Sequence, residues 1–156
     1  MQKEYLTKNA GQTKKLGEAL ARMLFKSRSE DKAVVVALRG DLGGGKTTFL
    51  QGFAKGLGGR VKILSPTFII MRRMKLDNCS IGQLDNFFHV DAYRLQGARD
   101  LLELGFREVV ASPKNVVAIE WADIVRKIIP RHAVWVDFDF IDKNKRRIVV
   151  KFNNGR

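Results

Sequence analysis

The sequence predicts an α/β fold of three layers built on a sheet that mixes parallel and antiparallel strands. Three observations predict it. The apolar, β-branched run "AVVVAL" (Ala33 to Leu38) leads into a glycine-rich turn and then an amphipathic stretch, the order strand, loop, helix. Strand-like and helix-like segments alternate through the first two thirds of the chain, which calls for helices packed on a central sheet. Near the C-terminus, "AVWVDFDFI" and "RRIVVKF" alternate apolar and polar residues around "DKNK", the pattern of an antiparallel hairpin.

The elements follow in order. Asn9, with Gln12 three residues on, is suited to cap a helix whose stripe is Leu16, Leu20, Met23 and Leu24. Lys26 to Lys32 is polar and loop-like. "AVVVALRG" reads as a strand buried on both faces. Phe49, Leu50, Phe53 and Leu57 form a second helical stripe, ended by Gly56, Gly58 and Gly59. "VKILSPTFIIM" reads as a strand interrupted at Ser65-Pro66, and Lys75 to Gln83 as a turn-rich excursion. "FFHVDAYRL" starts as a strand, "RDLLELGF" is a short helix and "NVVAIEW" is another buried strand. With 156 residues and no linker-like or repeated segment, the expectation is a single domain over residues 1–156.

Composition narrows the function classes. The apolar runs are too short to cross a bilayer, and "MQKEYLTKNA" has no apolar signal core. One cysteine, Cys79, suits a reducing compartment, so the expected location is the cytoplasm. The formal charge of +13 comes from 29 Lys and Arg against 16 Asp and Glu. Such an excess attracts polyanions, or is simply a solvated basic surface. No interleaving of aromatic and basic residues suggests base stacking.

Four motifs carry chemistry. "GDLGGGKT" (Gly40 to Thr47) matches the phosphate-binding P-loop pattern, and the strand before it and helix after it supply the required context. Gly43, Gly44 and Gly45 let the backbone turn and aim its N–H groups inward, and the helix N-terminus adds positive potential. Lys46 brings a full charge to the β and γ phosphates. The Thr47 hydroxyl suits a magnesium ion, and Thr48 is within reach of the α phosphate. A P-loop also needs a carboxylate on its metal, normally at the end of an apolar strand, and Glu120 stands there, either serving the metal or pointing into solvent as an ordinary strand-end glutamate. "SPT" makes a rigid corner that either presents Thr67 as a switch threonine to the γ phosphate and its attacking water, or is an ordinary kink. In "HVDAYR", His89 and Asp91 share a strand face. Asp91 is placed to orient water or to join the metal's outer shell, whereas His89 reads as a packed imidazole. Trp121 is either core or an anchor for a partner.

The ordered set "GDLGGGKTTF", "SPTF", "HVDAYRL", "LLELGF" and "IEW" resembles the bacterial TsaE family of tRNA threonylcarbamoyladenosine synthesis. The motifs span Gly40 to Trp121. The resemblance implies a magnesium-dependent ATPase of P-loop NTPase fold, slow alone and stimulated by partners. It also implies that ATP turnover serves a TsaB–TsaD transferase, with tRNA reached indirectly or through the basic surface. It further implies that Lys46 holds phosphates, that Thr47 and Glu120 serve Mg2+, that Thr67 lies in the switch and that Thr13 lies near the base. Asp91 and Trp121 are implied to act in hydrolysis or in its coupling to the partner. Gly44 stands where the family usually has alanine, and Arg72 and Arg73 stand where acidic or aromatic residues are common. Two alternatives share the P-loop: a small-metabolite kinase and a nucleotide-switched nucleic-acid-binding module. Against the kinase, no long insertion for a lid falls between Gln83 and Ile119.

Overall fold

The computed structural model describes residues 1–41, 43, 45–58, 61–63, 69–76 and 84–153. Among these, seven strands form one sheet: β1 (Gln2–Thr7), β2 (Val34–Gly40), β3 (Met71–Lys75), β4 (Asn86–Asp91), β5 (Asn115–Glu120), β6 (Val134–Phe140) and β7 (Arg146–Phe152). Their spatial order is β1-β7-β6-β2-β5-β4-β3. The central strands β6, β2, β5 and β4 run parallel, while β1, β7 and β3 join antiparallel. The expected mixed sheet and the β6–β7 hairpin are both present.

Two helices, α1 (Ala10–Lys26) and α2 (Lys46–Gly56), cover one face. The Asn9 side chain accepts from Gln12 N at 2.9 Å, and Gln12 Oε1 accepts from Lys8 N at 2.8 Å, so the first turn of α1 is tied as its cap residues predict. Leu20 and Leu24 from α1 pack with Phe49, Leu50, Phe53 and Leu57 from α2 over Val36, Leu38 and Val136. The helices cross backbone to backbone: a Cβ on Gly52 would lie 1.9 Å from the Lys14 carbonyl oxygen. Only glycine permits that approach.

The other face is covered by α3 (Ala98–Leu102), α4 (Phe106–Ala111) and a 3-10 helix over Ala122–Ile128. Leu101, Phe106, Ala122 and Val125 pack there on Val35, Ala37, Val117 and Ile119. These layers make the predicted three-layer α/β arrangement.

Three details differ from expectation. The N-terminal residues form β1, an edge strand in which only Thr7 is buried, so its sequence carries almost no apolar pattern. The strand expected over "VKILSPTFIIM" begins only at Met71; residues 61–63 and 69–70 lie outside strands, and residues 64–68 lie outside the described residues. The helix expected from "RDLLELGF" is two short helices, broken where Gly105 adopts φ +84°. No helix among the described residues is long and apolar enough to cross a membrane.

Candidate nucleotide site

All four parallel strands point their carboxyl ends toward one rim of the sheet, the usual place for a ligand crevice in such folds. The P-loop leaves β2 at Gly40 and enters α2 at Lys46. Gly43 and Gly45 adopt φ +77° and +96°, a region that penalises a side chain, and a Cβ on Gly43 would meet nothing within 4 Å. The loop thus leaves open space beside backbone that only glycine adopts cheaply. Gly44 and Leu42 lie outside the described residues.

Lys46 is buried at the first position of α2. Its ammonium donates to the Gly40 and Asp41 carbonyl oxygens, the second at 2.8 Å. The Trp121 ring lies 4.5 Å from Nζ, close enough for a cation–π contact. Burial pushes the Lys46 pKa below the usual lysine value, and the charges of Glu120, Asp41, Asp91 and Asp123 oppose that shift. A cation desolvated at a helix N-terminus is an expensive arrangement, and an anionic ligand would relieve it.

Thr47 follows, half-buried, with its hydroxyl donating to Glu120 Oε1 at 3.4 Å. Thr48, in the same first turn, is also half-buried. Glu120 ends β5, a strand buried along its whole length. β4 lies beside it in a register that pairs Asp91 with Glu120 and His89 with Ala118. That register brings His89 Nε2 within 2.7 Å of Glu120 Oε2, and both residues are buried. An ionised carboxylate only accepts hydrogen bonds, so opposite ionised Glu120 the imidazole is the donor through Nε2. The packed imidazole read from sequence is therefore in direct contact with the carboxylate at the heart of the site. The only hint in the sequence was its place two residues before Asp91.

Asp91 Oδ1 accepts from Tyr93 N at 3.0 Å. Burial raises the Asp91 pKa above the ordinary aspartate value, the Tyr93 bond opposes the rise and the Glu120 charge adds to it. Trp121 has φ +57°, the one non-glycine residue with positive φ among those described. That strained turn aims its ring back over Lys46, and Tyr93 packs on it with ring centroids 5.0 Å apart.

Thr13 lies at the same rim. Its hydroxyl pairs with that of Thr7 at 2.8 Å, and its methyl group would sit 3.7 Å from a Cβ on Gly45. Arg146, which the sequence reading did not single out, reaches from β7 to the Gly43 carbonyl oxygen at 2.9 Å and packs over Phe140. Lys46, Thr47, Glu120, Asp91 and Trp121 thus come together around the start of α2, with Thr13 on the Gly45 side. Thr67 lies outside the described residues.

These groups fit a nucleotide and a hard cation. The open glycine loop and helix N-terminus suit phosphates, and the Thr47 and Glu120 oxygens are the donor type that magnesium prefers.

Known proteins resemble this chain along most of its length. A family model described as "Threonylcarbamoyl adenosine biosynthesis protein TsaE" matches residues 7–148. A Rickettsia felis protein named tRNA threonylcarbamoyladenosine biosynthesis protein TsaE is 34% identical over 148 residues, covering 94% of this chain and 78% of the relative. Identically named proteins from Treponema pallidum and Streptomyces coelicolor are 31% and 40% identical. The first match covers 93% of this chain and 97% of the relative, the second 70% and 67%. The crystal structure of Bacillus subtilis YdiB superposes with a TM-score of 0.71 at 27% identity, covering 99% of this chain and 87% of that one. The chain belongs to the TsaE family of tRNA threonylcarbamoyladenosine biosynthesis, and its fold is that of a nucleotide-binding P-loop protein.

Proposed function

We propose that this protein is a magnesium-dependent ATPase whose turnover supports repeated cycles of a TsaB–TsaD transferase acting on tRNA in the cytoplasm. The observation that carries the reading is the meeting of Lys46, Thr47 and Glu120 at the N-terminus of α2, a phosphate cradle with a metal-side carboxylate facing it. The single-domain reading of residues 1–156 goes with it.

In this reading the loop around Gly43, Gly44 and Gly45 presents backbone N–H groups to the phosphates, and Lys46 supplies a fixed positive charge where negative charge gathers. Thr48 contacts the α phosphate and Thr13 lies by the base. Thr47 and Glu120 would hold the metal. Bound there, magnesium would supply positive charge to the phosphates. Asp91, desolvated at the end of β4, orients the attacking water, and Thr67 in the switch helps place it. Trp121, with its ring over Lys46 and its exposed neighbour Tyr93, couples the site to the partner surface.

The test is phosphate release by the protein alone and with the TsaB–TsaD pair. Slow turnover that rises with the pair supports the reading, and equal rates remove the coupling. Lys46→Ala is expected to lower turnover by about 100-fold or more, the scale seen when a charge-stabilising donor is lost. Glu120→Ala is expected to shift the magnesium titration; an unchanged titration removes Glu120 from the metal site.

A further inference from the structure

The carboxylate of Glu120 is buried at the end of β5, and each of its oxygens has a different neighbour: Oε1 faces the Thr47 hydroxyl, and Oε2 lies 2.7 Å from His89 Nε2. We propose that His89 is a positioning residue for the metal side of the site: it pins Oε2 so that Oε1 is held toward Thr47. The proposal rests on the reading of Glu120 as a metal-side carboxylate.

The physical case has three parts. First, a carboxylate on a strand end turns about its side-chain torsions unless something fixes it. The Thr47 contact, at 3.4 Å, is too long to do so alone. The His89 bond is short and shielded from water. Second, His89 is itself immobile. It is 1% exposed in the middle of β4, and its backbone is set by the parallel register with β5 and the antiparallel register with β3. Third, imidazole donates a hydrogen bond without the permanent charge of Lys or Arg. A lysine or arginine in this place would compete with a cation for the same carboxylate. An apolar residue would leave Oε2 buried without a donor. Partners of this kind, behind a metal-binding carboxylate, typically change metal affinity by about 10–100-fold when removed.

The test measures Mn2+ binding to the protein–ADP complex by electron paramagnetic resonance, in parallel with the magnesium dependence of turnover. His89→Leu removes the donor and is expected to weaken Mn2+ binding by about 10-fold or more, with a smaller loss of kcat at saturating metal. His89→Gln keeps an N–H donor and is expected to restore most of the affinity. In a Glu120→Ala background, His89→Leu is expected to change Mn2+ binding no further, because the two residues act through one bond. Nitrogen NMR of the unaltered protein gives a readout that does not depend on a variant folding. A protected Nε2 proton on His89 is expected there.

Wild-type Mn2+ binding by His89→Leu would overturn the proposal. So would equal loss in His89→Leu and His89→Gln, which marks a packing role, or absence of the protected Nε2 proton. Undiminished Mn2+ binding by Glu120→Ala would instead remove the metal reading of Glu120 itself, so the two failures are distinguishable.

Discussion

β5 and β1 each contribute six residues to the same sheet, yet every residue of β5 is buried and only one residue of β1 is. β5 lies between β2 and β4 with apolar layers on both faces. β1 is an edge strand held by a single antiparallel neighbour, β7. The contrast shows how work is divided across the molecule. The parallel centre supplies a base whose carboxyl ends carry Asp91 and Glu120, and β2 leads on to Lys46 at the start of α2. The antiparallel flank closes the sheet and reaches the site through side chains such as Thr7 and Arg146.

The largest effect should come from the centre. Ile119 is fully buried next to Glu120, whereas Leu6 at the edge is 54% exposed. Ile119→Ala is expected to cost about 2–5 kcal/mol in urea unfolding, the range for deleting a large buried aliphatic group. Leu6→Ala is expected to leave the urea midpoint nearly unchanged. Similar losses from both would break the comparison.

A smaller effect, dependent on pH, should appear at Asp91. Burial raises its folded-state pKa above 3.8, so the native protein holds its proton more tightly than the unfolded chain does. The native state is therefore penalised once pH rises through that raised value, and the penalty is absent below the unfolded value. Asp91→Asn retains an acceptor for Tyr93 N and removes the charge. It is expected to raise the melting temperature at neutral pH. The advantage should shrink as pH falls through the raised folded-state value and be gone below about 3.8. An advantage independent of pH would mean that the buried charge is not its source.

The smallest effect should be at the edge. Glu4 accepts from Arg147 across β1 and β7, and Arg147 also pairs with Asp139, all in solvent. Exposed pairs of this kind contribute little net stability. Glu4→Gln is expected to leave the melting temperature unchanged at about 0.15 M salt, where screening acts over less than a nanometre. A clear loss would show that the flank is held by its ion pairs and not by the ladder.

The same contrast explains what could be read from the sequence. β2, α2 and β5 were legible because they are apolar, periodic and punctuated by glycine, so local pattern and tertiary burial agree. β1 was not, because an edge strand with one buried residue leaves no pattern. The 3-10 helix at Ala122–Ile128 was not, because its start depends on the positive φ of Trp121, a residue with no intrinsic preference for that turn. In the site, the Lys46–Thr47 pair follows from the P-loop motif, and Glu120 from its place at a strand end. The His89 contact needed the β4–β5 register, and Arg146 needed the fold of the β6–β7 hairpin over Gly43. Both are partnerships between distant parts of the chain that local spacing does not encode.

The central claim is that the γ phosphate passes to water. It is tested most directly by running turnover with the TsaB–TsaD pair in 18O-enriched water and weighing the phosphate released. Hydrolysis predicts one solvent-derived oxygen in each phosphate, with the signal lost in Lys46→Ala. Phosphate that carries no solvent oxygen, or a phosphoryl group found on a small acceptor, would contradict it.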